Sequence, residues 1–124
     1  MLKGKFFTSK KVAISWFIIM SCLFFIPGSA LPERKVDIPL DKLIHISFFA
    51  LLVFLWRSAF PGNSRYYNTA IFTVAVVYGF LVEVMQGWLV AQRSFDIYDL
   101  FADAFGAVAG LIVWAMVYKK NKPL

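Results

Sequence analysis

The chain has 124 residues and a net charge of +6, and 60% of its residues are hydrophobic whereas only 16% are charged. A soluble domain usually carries about 25% charged residues and buries roughly two-thirds of its unfolded surface, so this composition excludes a water-soluble globule, a disordered chain and a second domain. The basic residues gather at chain ends and in short loops, as they do beside membrane spans, and therefore do not indicate a nucleic-acid partner.

Four apolar segments are long enough to cross a lipid bilayer as helices, because about 20 helical residues span about 30 Å of hydrocarbon. They cover residues 12–32, 43–60, 69–90 and 100–118, and Pro61-Gly62-Asn63-Ser64 is a turn signal between the second and the third. The sequence therefore predicts an all-α fold, an integral membrane four-helix bundle that forms a single domain over residues 1–124.

The first segment also has features of a signal peptide, since four lysines precede it and Gly28-Ser29-Ala30 offers small residues for cleavage. Cys22 is the single cysteine of the chain, which excludes an internal disulfide, and its surroundings make a poor lipidation site. We expect the segment to be retained as a span. Neither cleavage nor lipidation changes the orientation of the other three segments.

The positive-inside rule orients the bundle with both termini in the cytoplasm, and an even number of spans agrees with this orientation. Nine basic residues then lie on the inner side and four lie on the outer side. The inner ones are Lys3, Lys5, Lys10, Lys11, Arg57, Arg65, Lys119, Lys120 and Lys122, and the outer ones are Arg34, Lys35, Lys42 and Arg93.

This topology brings unusual polar residues from three segments to one depth near the outer surface. They are Asp41, Lys42 and His45 of the second segment, Glu83 and Gln86 of the third, and Arg93, Asp96, Asp99 and Asp103 around the start of the fourth. At about 100° per residue, the last three aspartates share an arc of about 80° with Gly106 and Gly110. Because such a glycine pair lets another helix approach closely, we expect the acids on this face to point into the bundle.

The charge of this group predicts a need for a positive partner. With His45 neutral, five carboxylates and two basic residues sum to −3. An ionised carboxylate at membrane depth costs about 2.5–3.5 kcal/mol, so protons, a bound cation or a cationic part of a ligand must offset the excess. The sequence does not decide among these three. The spacing of His45 and the acids is not diagnostic of a metal ion, so we assign no metal site and no cofactor.

Some members of the group also have simpler explanations: helix capping for Asp96 and Asp99, headgroup contact for Lys42, and an ion pair for Arg93. Capping explains neither Asp103, one turn deeper, nor Glu83 within the third segment. We therefore expect Asp103 and Glu83 to serve a site or an assembly, together with His45, which lies among apolar residues.

The same residues resemble the pattern of the VanZ-like family of small bacterial membrane proteins. The resemblance is carried by Asp41-Lys42-x-x-His45, Glu83-x-x-Gln86 and Arg93-x-x-Asp96-x-x-Asp99-x-x-x-Asp103-x-x-Gly106-x-x-x-Gly110. Relatives usually carry Asn at position 103 and often a Pro or Gly just before the arginine, and this chain has neither feature. The resemblance implies a multi-pass protein of the bacterial cytoplasmic (inner) membrane, related to a factor for low-level resistance to the glycopeptide teicoplanin.

Three functions are compatible with these features. The one we favour is a non-enzymatic envelope protein whose outward-facing polar pocket, lined by the nine polar residues above, binds a lipid, a wall precursor or a glycopeptide. The second is a membrane-embedded enzyme that acts on a lipid-linked phosphate or headgroup, with acids and a histidine for proton transfer. The third is a structural subunit whose polar cluster only locks the helices together. The sequence leaves enzymatic activity and oligomeric state open.

Overall fold

The computed structural model describes residues 8–25, 40–62, 64–89 and 96–118, except for the side chains of residues 40 and 41. These residues form four helices and no strand: α1 (Lys10–Phe24), α2 (Leu40–Ala59), α3 (Tyr67–Leu89) and α4 (Ile97–Tyr118). The helices α2, α3 and α4 are each long and apolar enough to cross a membrane. The predicted all-α membrane bundle is therefore confirmed.

The helix α1 has a defined beginning and end. The hydroxyl of Ser9 accepts a hydrogen bond from the backbone N–H of Val12 at 3.4 Å, which caps the first turn. At the other end the N–H of Phe25 donates to the carbonyl of Cys22 at 3.1 Å. Its 15 residues rise about 22 Å, which is shorter than the predicted span of residues 12–32. Residues 26–32 of that span, which include the small residues Gly28-Ser29-Ala30, lie outside the described residues.

The helices α2 and α4 form the most extensive packing contact of the bundle. Two glycines of α4 make this approach possible. A Cβ atom on Gly110 would lie 2.5 Å from the carbonyl oxygen of Ala50 and 3.0 Å from the Cβ of Val53, and one on Gly106 would overlap the carbonyl oxygen of Ile46. Any side chain at either glycine would therefore push α4 away from α2.

The helix α1 packs beside α2 and reaches α3. The indole N–H of Trp16 donates to the carbonyl of Phe48 at 3.2 Å, and the two rings meet edge to face. Met20 and Phe24 continue this contact inside the bundle, where they are buried with Phe49. Large apolar side chains of α3 and α4 point outward instead, as expected of helices that contact lipid.

A buried arginine, Arg57, lies in the last turn of α2. The guanidinium of Arg57 donates from Nε to Oδ1 of Asn68 at 2.7 Å and from its terminal nitrogen to the carbonyl of Gly62 at 3.1 Å. It also lies over two rings, with its central carbon 3.8 Å from the centre of the Trp114 ring and 4.6 Å from that of Tyr67. These contacts fasten the turn between α2 and α3 to α4.

Candidate functional site

At the opposite end of the bundle, charged side chains from three helices meet in what we call the acidic centre. It consists of Lys42 and His45 of α2, Glu83 of α3, Asp99 and Asp103 of α4, and Asp96, which directly precedes α4. The first turns of α2 and α4 and the last turns of α3 supply these residues. Antiparallel packing of consecutive helices is what brings such positions to one level.

The most buried part of the acidic centre is a histidine–aspartate pair. The Nδ1 atom of His45 lies 2.5 Å from Oδ1 of Asp103, and the two residues are 2% and 0% exposed. When Nδ1–H donates to the carboxylate, a neutral imidazole keeps its lone pair on Nε2. The ring of Phe24 lies against the imidazole, with 4.8 Å between ring centres. The hydrogen bond and the ring contact therefore fix the position of the histidine.

The Nε2 atom of His45 faces two further carboxylates. It lies 3.6 Å from Oε2 of Glu83 and 3.6 Å from Oδ2 of Asp99, and both distances are too long for a hydrogen bond. The other oxygen of Glu83 accepts from the backbone N–H of Asp96 at 3.3 Å. Within the described part of the chain, Oε2 of Glu83 and Oδ2 of Asp103 are buried and have no hydrogen-bond partner.

A lysine covers the outer side of the acidic centre. The Nζ atom of Lys42 lies 2.5 Å from Oδ2 of Asp96 and 2.7 Å from Oδ1 of Asp99. The donated hydrogen bond from Lys42 holds the pKa of Asp96 below its usual range. The Asp96 side chain is 35% exposed and also caps α4, since its Oδ1 accepts from the N–H of Tyr98 at 2.9 Å. The acidic centre is thus exposed at Asp96 and buried at His45.

The acidic centre contains more acids than bases. If its four carboxylates are all ionised and His45 is neutral, these carboxylates and the one ammonium sum to −3. One possible ligand atom from each of His45, Glu83 and Asp103 lies within 4.8 Å of the others. Chemically, this is a compact set of nitrogen and oxygen electron-pair donors with too few hydrogen-bond donors.

Sequence reasoning missed Gly79, which makes room for the acidic centre. A Cβ atom on Gly79 would lie 2.6 Å from Oδ2 of Asp103 and 3.2 Å from its Cβ. The side chain of Asp103 therefore occupies the space that a larger residue of α3 would fill. Gly79 lies four residues before Glu83 and so on the same helix face, a spacing that could have identified it.

One predicted site residue, Gln86, makes its hydrogen bond outside the acidic centre, and two others lie outside the described residues. Gln86 is buried, but its Nε2 donates to the carbonyl of Phe24 at 2.5 Å and so joins α3 to the end of α1. The side chain of Asp41 and all of Arg93 lie outside the described residues, and their participation stays a prediction.

The grooves described on the surface of the bundle do not coincide with the acidic centre. One lies between α1, α2 and α3 and is lined mainly by apolar side chains, among them Phe17, Trp56 and Tyr78. Another lies between α1 and α2, around Trp16 and Leu55. The predicted outward-facing polar pocket therefore stays a prediction.

Comparison with known proteins yields one match. A family model described as VanZ/LLP1 matches residues 4–118, a stretch that includes all four helices and every residue of the acidic centre. No curated protein and no solved structure shows significant similarity to the chain.

Proposed function

Because the chain belongs to the VanZ/LLP1 family and folds as a membrane helical bundle, we propose that it is an envelope protein whose acidic centre binds a positively charged group of an envelope ligand. The positive-inside rule supports an orientation in the bacterial cytoplasmic membrane with both termini inside and the acidic centre beneath the outer leaflet. The ligand classes that this placement supports are lipid headgroups, wall precursors and lipophilic glycopeptides such as teicoplanin.

The observation that carries this proposal is the excess of acidic over basic side chains in the acidic centre. Lys42 supplies one positive charge, and it already pairs with Asp96 and Asp99. Deeper in the bundle, Glu83 and Asp103 are fully buried and each has an oxygen that no described residue satisfies. Buried carboxylates are usually paired, so this arrangement favours a positively charged partner that comes from outside the chain.

The exposed edge of the acidic centre supports access from the outer side. The Asp96 side chain is 35% exposed and that of Asp99 is 10% exposed, whereas Glu83 is fully buried. A cationic group would meet the Lys42–Asp96 ion pair first and the deeper carboxylates afterwards. This order gives the centre a polar entrance and an anionic interior.

Glycopeptide susceptibility tests the proposal directly. Cells that lack their own copy of the gene are complemented with the wild-type chain, with Glu83→Gln or with Asp99→Asn, and teicoplanin susceptibility is measured. We expect both variants to behave like the uncomplemented cells, because each removes a carboxylate from the acidic centre without changing its size. The matched control is Asn68→Ala, which alters the polar contacts at the other end of the bundle.

The amount of inserted protein must be measured in the same membranes. Unchanged susceptibility in correctly inserted Glu83→Gln and Asp99→Asn cells would overturn the proposal. Loss of resistance only in proportion to lost protein would instead indicate that the acidic centre merely holds the helices together.

The histidine–aspartate pair favours one second candidate, a membrane-embedded enzyme acting on lipid-linked phosphates or headgroups. Hydrogen bonding to Asp103 leaves Nε2 of His45 available to accept a proton, as in general-base catalysis. Turnover of labelled lipid-linked phosphates by the purified protein, lost in His45→Asn, would support this candidate. Absence of turnover by the folded wild-type protein, with and without divalent cations, would reject it.

A further inference from the structure

We propose that the acidic centre binds one divalent transition-metal ion through Nε2 of His45 and Oε2 of Glu83, with Asp103 as a positioning residue. The inference rests on the proposed function to the extent that both need the centre to attract positive charge. It goes further because it names the chemical class of the cation and two atoms that bind it.

The distance between these two atoms fits two ligands of one ion, and a carboxylate oxygen of Asp99 lies equally close to His45. Two ligands that each lie about 2.1 Å from a tetrahedral metal ion are about 3.4 Å apart. The Nε2 atom of His45 is 3.6 Å from Oε2 of Glu83 and 3.6 Å from Oδ2 of Asp99. These separations are too long for hydrogen bonds and close to the separation that a shared ion requires.

Both ligands are held by a second group, as is usual in metal sites. His45 is bonded through Nδ1 to Asp103 at 2.5 Å, the arrangement in which a carboxylate orients a metal-binding imidazole. Glu83 is held through Oε1 by the backbone N–H of Asp96. In both residues the atom that faces the other ligand is therefore the one left available.

The burial of Glu83 is an independent indication of a ligand. Its side chain is 0% exposed, yet Oε2 has no hydrogen-bond partner in the described part of the chain. An ionised carboxylate in such a place is strongly unfavourable unless a cation or a donor reaches it. Because Oε2 points toward Nε2 of His45, an ion between them would satisfy both atoms at once.

The donor set favours a zinc-like ion over magnesium or calcium. Imidazole nitrogen and carboxylate oxygen are typical ligands of Zn²⁺, whereas Mg²⁺ and Ca²⁺ prefer oxygen ligands alone. The positions around the ion that His45 and Glu83 do not fill are open to water or to a group of the envelope ligand. With four ionised carboxylates and a neutral His45, a divalent ion would change the charge of the acidic centre from −3 to −1, which lowers the cost of its burial.

Zinc titration of the purified protein tests this inference. The full chain is purified without a polyhistidine tag, stripped of metal with a chelator and titrated with zinc chloride by calorimetry. We expect one zinc ion per chain, competition by Mn²⁺ and no comparable binding of Mg²⁺. The variant Glu83→Gln is expected to lose this binding, because an amide is a much weaker ligand than a carboxylate of the same shape.

Two further variants separate a lost ligand from a lost fold. His45→Asn keeps a donor for Asp103 but removes Nε2, so it is expected to abolish binding in a protein that remains helical by circular dichroism. Asp103→Asn removes only the positioning carboxylate and is expected to weaken binding roughly 10–100-fold without abolishing it. Asn68→Ala is the control and should bind zinc like the wild type.

Absence of one-to-one zinc binding by the folded wild-type protein would overturn the inference. Wild-type zinc affinity in the folded His45→Asn and Glu83→Gln proteins would overturn it as well, since the ion would then lie elsewhere. Zinc binding without any effect of Glu83→Gln on glycopeptide susceptibility supports this inference and contradicts the proposed function. An effect of Glu83→Gln on susceptibility in a protein that does not bind zinc supports the proposed function and contradicts this inference.

Discussion

The two ends of α2 both bury charge inside the bundle, but they stabilise it in different ways. Arg57 is surrounded by neutral partners, namely the amide of Asn68, the carbonyl of Gly62 and the rings of Trp114 and Tyr67. Two of its nitrogens donate hydrogen bonds, and it fastens a turn. The acidic centre instead gathers carboxylates around His45 and leaves buried oxygens without partners in the described structure.

This difference distinguishes a structural cluster from a functional one. A buried charge that serves only the fold is expected to be paired through hydrogen bonds, like those that Arg57 donates to Asn68 and Gly62. A buried charge that awaits a ligand carries an energetic cost in the unliganded protein. The comparison therefore predicts opposite effects when the charge at either end is removed.

Arg57→Ala is expected to have the largest effect. It removes two hydrogen bonds from a charged donor and two contacts with ring faces, so we expect a loss of about 2–3 kcal/mol in the free energy of unfolding. Unfolding in detergent, titrated with sodium dodecyl sulfate, measures this loss. Zinc affinity should not change. If Arg57→Ala were about as stable as the wild type, the contacts of Arg57 would not stabilise the bundle in the way described for this end of α2.

Gly79→Ala is expected to displace the side chain of Asp103 in the acidic centre. The new Cβ would lie 2.6 Å from Oδ2 of Asp103, so either the side chain or α3 must move. Overpacking of this kind typically costs about 1–3 kcal/mol, and we expect a loss of about 2 kcal/mol together with weaker zinc binding. The same unfolding assay and the zinc titration measure the two effects. Unaltered zinc affinity would show that the position of Asp103 does not matter.

Glu83→Gln is expected to change stability in the opposite direction from Arg57→Ala. In the absence of metal it removes an unbalanced buried charge and keeps an oxygen for the N–H of Asp96, so we expect a gain of about 1 kcal/mol. Thermal unfolding in the presence of a chelator measures this gain, and added zinc should stabilise the wild type but not the variant. Strong destabilisation by Glu83→Gln would indicate that the carboxylate already has its partner within the fold.

Asp96→Asn is expected to have the smallest effect. Its carboxylate is partly exposed, and such ion pairs contribute about 0–1 kcal/mol and less at high salt. The shorter amide can still cap α4 through its oxygen. Unfolding at low and high salt should show a difference from the wild type that shrinks as salt is added. A large and salt-independent loss would place Asp96 among the buried members of the centre.

Much of the acidic centre was predictable because depth and helical spacing are simple properties of a membrane sequence. Positive-inside orientation and three- or four-residue spacing predicted that His45, Glu83 and Asp103 lie at one level and point inward. The structure shows these three side chains in contact. The same rules do not specify which nitrogen of His45 faces which acid, because that depends on the rotation of three helices together.

Other features required tertiary structure. The apolar run of the first segment continues beyond Phe24. The sequence therefore did not indicate that the backbone carbonyl of Phe24 would accept a hydrogen bond from Gln86. The positive-inside rule placed Arg57 among the basic residues of the inner side, but it did not indicate that Trp114 of α4 would cover the guanidinium. Contacts between distant segments determine both arrangements.

X-ray absorption at the zinc edge of the loaded, tag-free protein tests the central claim most directly, because it reports the atoms around the ion. We predict nitrogen and oxygen neighbours at about 2.0–2.2 Å, with the outer-shell scattering of one imidazole, since His45 is the single histidine of the chain. The imidazole signal should disappear in His45→Asn. A spectrum without imidazole scattering in the wild type would contradict the assignment of the acidic centre as a metal site.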